Sequence, residues 1–488
     1  MHPTSADRLA LDRAAAHRAV DWAFDYLART QAAAPGAPTP PVRARTQPGE
    51  LFNALPAAAP EAPEPWDAAF DDLDRLILPG ITHWQHPMFF AYFPANVTGP
   101  SIVGEILSAG LGVQGMLWQT SPACTELETR VLDWLGTLLD LPAPFLSPSR
   151  TGGGVIQGTA SEATLVALLA ARARARARGI ADSAMTLYTS TQAHSSVVKA
   201  AMIAGLASSP DDRARLRLIE TDAQFRMDPA ALDSALARDL AQGLAPISLT
   251  ATVGTTGTTA IDPIPELARI ARAHAPELWI HVDAAHAGVA AICPEFRPWL
   301  AGLEHADSLC VNPHKWLLTN FDCDCFWTRD RASLLAALSV TPEYLRNAAS
   351  DAGAVIDYRD WQIPLGRRFR ALKLWLVLRT FGARALRDYI REHVRLAEVF
   401  ESLVASDDRF EIVTPRTMNL VCFRLRGDDA KSKALMDRLN DAGEMFLTHT
   451  VLPGPDRTPI LTLRLAIGAV GVTEGHVRRA WDLIRAAV

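Results

Sequence analysis

Apolar and polar positions change their period along this chain, and the changes divide it into three parts. Residues 8–30 repeat apolar side chains at helical spacing, which predicts an amphipathic helix. A proline-rich connection from Pro35 to Pro65 follows, broken by a short apolar segment at Leu51-Phe-Asn-Ala-Leu. Such an arm cannot bury its own apolar face, so residues 1–95 are expected to lie across a second copy of the chain. From about Thr151 apolar strands alternate with helical stretches. The strand candidates are Thr186-Leu-Tyr, Leu216-Arg-Leu-Ile, Pro246-Ile-Ser-Leu-Thr-Ala-Thr-Val, Leu278-Trp-Ile-His-Val and Ser308-Leu-Cys-Val, with a helix from Pro265 to Ala275 among those between them. This pattern predicts an α/β fold: a large domain over residues 96–380 with a mainly parallel sheet flanked by helices. After Phe381 a helix around Arg387 to Val404 precedes Phe410-Glu-Ile-Val, Leu420-Val-Cys-Phe-Arg-Leu and Leu461-Thr-Leu-Arg-Leu, then a last helix. Residues 381–488 therefore read as a small α+β domain.

Composition narrows the function classes. Hydrophobic residues make up 49% and charged residues 21% of the 488, as in ordinary globular chains. The net charge of −6 offers no general attraction to nucleic acid or anionic lipid. The run Arg172, Arg174, Arg176, Arg178 scatters its charges around a helix and has no interleaved aromatics, so it reads as a solvated helix end. No apolar stretch is long enough to span a bilayer, and the first twenty residues carry Asp7, Arg8, Asp12 and Arg13 with no signal-peptide core. Six cysteines without framework spacing read as free thiols, no metal-ligand spacing stands out, and the expected compartment is the cytoplasm.

Only five of the 48 basic residues are lysines, and Lys315 sits in Cys310-Val-Asn-Pro-His-Lys-Trp-Leu-Leu. A lysine amine can condense with a carbonyl group, which a guanidinium cannot. A lysine snorkelling from a buried strand would look the same in isolation. Three other segments keep it company. Thr151-Gly-Gly-Gly-Val-Ile-Gln-Gly-Thr-Ala-Ser-Glu places Thr159 and Glu162 at capping-box spacing before an apolar helix. Free N–H groups there, with the Ser161 hydroxyl and the small Ala160, make a phosphate seat. No strand is expected immediately before it, and the Gly-x-Gly-x-x-Gly order of a dinucleotide fold is missing. In His281-Val-Asp-Ala-Ala-His, Asp283 ends a strand and can hold a ring nitrogen protonated, or else cap the next helix. In Thr191-Gln-Ala-His-Ser-Ser, His194 stands on a short loop where an imidazole can stack on a ring. Asn312 and His314 are polar neighbours for a phosphate or a carboxylate.

Together these segments resemble the group II pyridoxal-phosphate decarboxylases, specifically the aromatic-L-amino-acid decarboxylases. The resemblance runs from about Trp84 to the C-terminus through His83-Trp-Gln-His-Pro-Met-Phe-Phe-Ala-Tyr-Phe-Pro, Ser121-Pro-Ala-Cys-Thr-Glu-Leu-Glu, Asn312-Pro-His-Lys-Trp and Asp360-Trp-Gln-Ile-Pro-Leu-Gly-Arg-Arg-Phe-Arg. It implies fold type I and pyridoxal 5'-phosphate bound to Lys315. Asp283 would pair with the ring nitrogen, His194 would stack on its face, and Ala160, Ser161 and Asn312 would hold the phosphate. Thr256 would contact the ring or its phenolic oxygen. A lid-loop tyrosine that protonates the substrate carbon in the family matches Tyr344. The family is a homodimer with shared sites, and the resemblance makes Gly112-Val-Gln-Gly-Met-Leu-Trp the borrowed stretch here, with Gln114 and Met116 reaching into the partner's pocket. Trp84, Tyr92 and Phe93 complete the expected substrate pocket.

Departures bear on substrate choice. His286 stands where the family usually has tyrosine, and Ala95 where it often has a threonine able to contact a ring hydroxyl. Gly366 stands where glycine goes with indoles and serine with phenols in plant relatives. These point to tryptophan, 5-hydroxytryptophan or phenylalanine rather than dopa or tyrosine. The competing readings are an aldehyde synthase on the same site and, in another class, a nicotinamide-dependent dehydrogenase.

Overall fold

The computed structural model describes residues 5–31, 34, 39–340, 355–454 and 456–488. Tyr344, the expected proton donor, lies outside the described residues.

Among the described residues seven strands form the large sheet: β1 (Gly153–Gln157), β2 (Met185–Ser190), β3 (Leu216–Ile219), β4 (Ala245–Thr252), β5 (Trp279–Asp283), β6 (Ser308–Val311) and β7 (Asp324–Thr328). Their order is β1-β7-β6-β5-β4-β2-β3. Strands β3, β2, β4, β5 and β6 pair in parallel, whereas β7 runs antiparallel between β6 and β1. The apolar strands of the pattern are there because helices cover both faces, so each strand is buried on both sides. One face packs Val155, Trp279, Cys310 and Phe326 against helix Ala160–Ala177. The other packs Leu249, Ile280 and Leu309 into the largest core cluster.

The expectation that no strand precedes the glycine-rich turn is corrected by β1. Its glycines have poor strand propensity, but they admit neighbours that side chains would exclude. A Cβ on Gly154 would stand 2.7 Å from the Trp327 ring. The capping box is also not formed. Thr159 makes no side-chain cap bond, and Glu162 accepts instead from the N–H groups of Gly158 and Ile363. Of the arginine run, Arg174 turns inward, paired with Asp307 and Asp330 and lying over Trp279.

A second, antiparallel sheet of β8 (Phe410–Ile412), β9 (Leu420–Leu425), β10 (Thr448–Pro453) and β11 (Pro459–Ala466) has the order β10-β11-β9-β8. Residues Met88 to Ala91 pack into its core, with Phe90 bonded to Phe446 and Ala466. Helix Ser5–Gln31 binds residues of its own chain: Tyr26 meets His83, and Gln31 donates to Gln85 and Val97. Its first half leaves Leu9 and Leu11 exposed. All six cysteines are free and buried. No helix among the described residues is long and apolar enough to cross a membrane.

Helices Gly99–Leu111 and Ala371–Ala405 touch backbone to backbone at Gly104, where a Cβ would lie 2.4 Å from Lys373 Cα. Backbone cannot give way as a flexible side chain does. Gly104→Ala should therefore lower stability by about 1–3 kcal/mol in urea unfolding, the range for overpacking a tight contact.

Candidate active site

The C-terminal ends of β4, β5 and β6 lie side by side, and a cavity of about 220 Å³ opens there. The lining includes Ala160, Ser161, His194, Thr256, Asp283, Asn312, His314 and Lys315, all eight residues expected to hold the cofactor. Phe93 also lines it, the one member of the expected substrate set to do so.

Each side chain has a local reason for its place. Asp283 is the last residue of β5, and its Oδ1 accepts from the Ala285 N–H at 3.1 Å. Lys315 rides on the short turn Pro313–Trp316 directly after β6, its N–H bonded to the Asn312 carbonyl. His194 is the N-cap of helix Ser195–Ile203. Its Nδ1 accepts from the Ser196 N–H, which leaves Nε2 as the protonated nitrogen. Burial lowers its pKa, Asp283 opposing and Lys315 assisting. His314 Nδ1 accepts from the Cys323 N–H, and burial, assisted by Lys315, brings its pKa down to about 3.

The anion seat stands at the start of helix Ala160–Ala177. Thr159 makes no side-chain cap bond and its carbonyl takes the N–H groups of Glu162 and Ala163, which leaves those of Ala160 and Ser161 for a ligand. Asn312 Oδ1 and Thr252 Oγ1, both on cavity-lining residues, are buried without a hydrogen-bond partner among the described residues. A phosphorylated pyridine ring fits this donor set: helix N–H groups and a hydroxyl for its phosphate, a carboxylate for its nitrogen, an amine for its aldehyde carbon.

The remaining expected residues gather elsewhere. Trp84 and Tyr92, both exposed, stack at 5.6 Å over the buried Phe89 and the half-buried Phe446. Ala95 accepts from Gln85 Nε2. Gln114 stands against Gly366, its Oε1 accepting from the Arg367 N–H, and the Met116 carbonyl accepts from Arg359. None of these lines the cavity.

Sequence reading missed Thr159, Thr252, Gly254, Ala285 and Phe321, all on the cavity wall. It also missed Arg464. This guanidinium is buried, lies 5.5 Å over Phe93 and donates to the Gly257 and Ala91 carbonyls, yet its Nη2 has no partner among the described residues. An arginine at an inward position of an apolar strand was the available signal.

The comparisons with known proteins agree with this geometry. A model of the pyridoxal-dependent decarboxylase conserved domain matches residues 48–426. The chain belongs to that family, and within it to the aromatic amino acid decarboxylases, carboxy-lyases that use pyridoxal 5'-phosphate. Over 494 residues it is 48% identical to tryptophan decarboxylase 2 of Oryza sativa subsp. japonica, covering 99% of this chain and 95% of that one. Over 479 residues it is 47% identical to phenylacetaldehyde synthase of Arabidopsis thaliana, covering 96% and 94%. The solved structure of Oryza sativa TDC with PLP and tryptamine matches it with a TM-score of 0.92 at 42% identity, over 100% of this chain and 99% of that one. The fold is thus fold type I.

Asp324, at the start of β7 opposite Gln157, is fully buried, and neither carboxyl oxygen has a partner among the described residues. Burial first, then Cys323, Asp283 and Glu162, push its pKa well above the usual carboxylate range, against the pull of Lys315. A raised folded-state pKa means the acid favours folding below its unfolded value and loses that advantage as pH rises through the folded one. Asp324→Asn cannot ionise. Its melting temperature relative to wild type should therefore climb from pH 6 to pH 9, read by thermal denaturation at both.

Proposed function

We propose that this chain decarboxylates an aromatic L-amino acid to the corresponding amine and carbon dioxide, with tryptophan, 5-hydroxytryptophan or phenylalanine preferred to dopa or tyrosine. The observation that carries the reading is the convergence of Lys315, Asp283, His194 and the helix anion seat on one cavity. Bound pyridoxal phosphate supplies an electron sink for the pair left on the substrate carbon when carbon dioxide departs. The chain's own residues supply the rest. The Lys315 amine holds the cofactor and later serves as a base, while the Asp283 carboxylate keeps a ring nitrogen protonated. Ala160, Ser161 and Asn312 seat the phosphate, Thr256 stands by the ring, and His194 covers its face as a neutral imidazole. Arg464, whose Nη2 has no partner among the described residues, offers a cation for the substrate carboxylate.

The working unit in this reading is a cytoplasmic homodimer. Helix Gly99–Leu111 exposes Val103, Ile106, Leu107 and Leu111 along one face, and Phe321 projects from the cavity wall at 61% exposure. A second copy covering this stripe would bring Gln114 and Met116 to the neighbouring cavity, which accounts for their absence from their own. The phenylacetaldehyde synthase among the relatives favours one alternative, oxidation by dioxygen to an aldehyde.

The test is to incubate the cofactor-loaded protein with tryptophan, 5-hydroxytryptophan, phenylalanine, tyrosine and dopa, and to identify the products. Amine with carbon dioxide is expected; aldehyde with hydrogen peroxide would select the alternative. Lys315→Ala should abolish turnover while leaving the circular-dichroism spectrum intact. Near wild-type turnover would overturn the site assignment.

Gly366 allows a separate check on substrate choice. A Cβ there would lie 3.1 Å from Gln114 Nε2, so a larger side chain presses Gln114 out of place. Gly366→Ser should lower kcat/KM for tryptophan several-fold more than for tyrosine, since in the dimer reading a displaced Gln114 would take space in the neighbouring pocket that a bicyclic ring needs.

A further inference from the structure

His286 lies where three parts of the chain meet, and its surroundings fix its chemical state. Its ring is sandwiched between Phe93, at 3.6 Å and 9° from parallel, and Trp316, at 5.0 Å and 17°. Trp316 directly follows Lys315, while Phe93 and the edge of His286 itself both line the cavity. At the ring edge, His286 Nε2 is 2.9 Å from Asn419 Oδ1, beside the small sheet. Asn419 spends its own Nδ2 hydrogen on the Ile467 carbonyl, so its oxygen faces the imidazole and Nε2 carries the proton. Burial opposes a second proton and brings the pKa down to about 3. Nδ1 is buried and has no partner among the described residues. The residue is therefore a neutral ring, fixed in plane by one hydrogen bond and in height by two stacks.

We propose that His286 is a positioning residue for substrate affinity: it sets how far the Phe93 ring stands from the lysine segment, and so the width of the slot for the substrate's aromatic ring. The column Phe93–His286–Trp316 acts as a spacer whose thickness is one imidazole. Without that ring Phe93 can sink toward Trp316, and the substrate ring loses its wall. Substrate and transition state carry the same ring, so both lose the contact equally. The loss then falls on KM and spares kcat. Asn419 keeps the spacer in plane, which links the small sheet to the cavity wall.

The proposal rests on the aromatic decarboxylase reading, and the cofactor-loaded enzyme tests it with whichever aromatic amino acid it turns over best. His286→Ala should raise KM at least tenfold with kcat within threefold and the cofactor absorbance unchanged. His286→Phe restores a ring of similar thickness and should bring KM back to within threefold of wild type. Its melting temperature should still fall, because Asn419 loses its donor. In a cycle with Phe93→Ala, adding His286→Ala should change KM by less than twofold. If the alanine variant does not retain cofactor, His286→Gln, which has no ring, takes its place with the same expected rise. An unchanged KM in the ringless variant, equal defects in the phenylalanine and ringless variants, or multiplicative effects with Phe93→Ala would each overturn the proposal. A wild-type enzyme inactive on every aromatic amino acid would instead overturn the reading beneath it.

Discussion

A parallel sheet covered on both faces can present polar chemistry only at the ends of its strands, and that constraint arranges the rest of this molecule. Strands β4 and β5 stop in register at Thr252 and Asp283, and Asn312 follows β6 at the same edge. Adjacent strands lie about 4.8 Å apart, so a hydroxyl, a carboxylate and an amide fall within the width of one small ring. Inside the strands, Leu249, Ile280, Val282 and Leu309 are wholly apolar and set the register that aims Asp283 at the cavity. A slip of one residue would turn that carboxylate to the opposite face. Core packing and site geometry are one requirement here.

The edge of the large sheet needs a different device, because β1 is glycine-rich and has few side chains to hold it. Glu128 and Arg367 form a fully buried ion pair whose members also grip the strand: Ile156 donates to Glu128, and its carbonyl accepts from Arg367. Removing one member of such a pair typically costs about 3–5 kcal/mol, because the other is left buried and uncompensated. Arg367 reaches further. Its Nε donates to Gln362, its N–H to Gln114, and its guanidinium lies over Tyr358. The segment carrying Gly366 is thereby fastened to β1 and held still.

Residues whose type is dictated by chemistry were legible in the sequence, and those placed by packing were not. Lys315, Asp283, His194 and Asn312 could be named because strand ends and short loops put them where polar groups have work to do, and they do line one cavity. The long apolar strands were legible for a related reason, since a doubly buried strand must be an apolar run. Strand β1 escaped because its burial is supplied by Trp327 and Trp361 rather than by its own side chains. Strand β7 carries Asp324 and two buried cysteine neighbours, a composition that hides its role in the sheet. Arg464 escaped because a lone arginine in a strand of the tail is read as a solvated face until the fold turns it toward Phe93. Trp84, Tyr92, Gln114 and Met116 came from resemblance, and none of the four lines the cavity.

The histidines show how the interior divides its labour. His281, His286, His314 and His393 are buried, and burial lowers the pKa of each, to about 4 for His281 and about 3 for the others. They act as neutral rings with one donor and one acceptor, and several sit in stacks: His286 on Phe93 and Trp316, His393 beside Trp316 and Tyr389. A phosphate at the start of helix Ala160–Ala177 would then meet N–H groups and a hydroxyl, not imidazolium charge. Positive charge near the cavity falls to Lys315 and Arg464, and Asp283 offsets it at the strand end. Lys315 must surrender its proton to act as a nucleophile, whereas Arg464 never does. An anionic substrate group drawn to Arg464 would lie against Phe93, on the cavity that Lys315 also lines. With the histidines uncharged, positive charge at this edge stays with one lysine and one arginine, each chemically distinct.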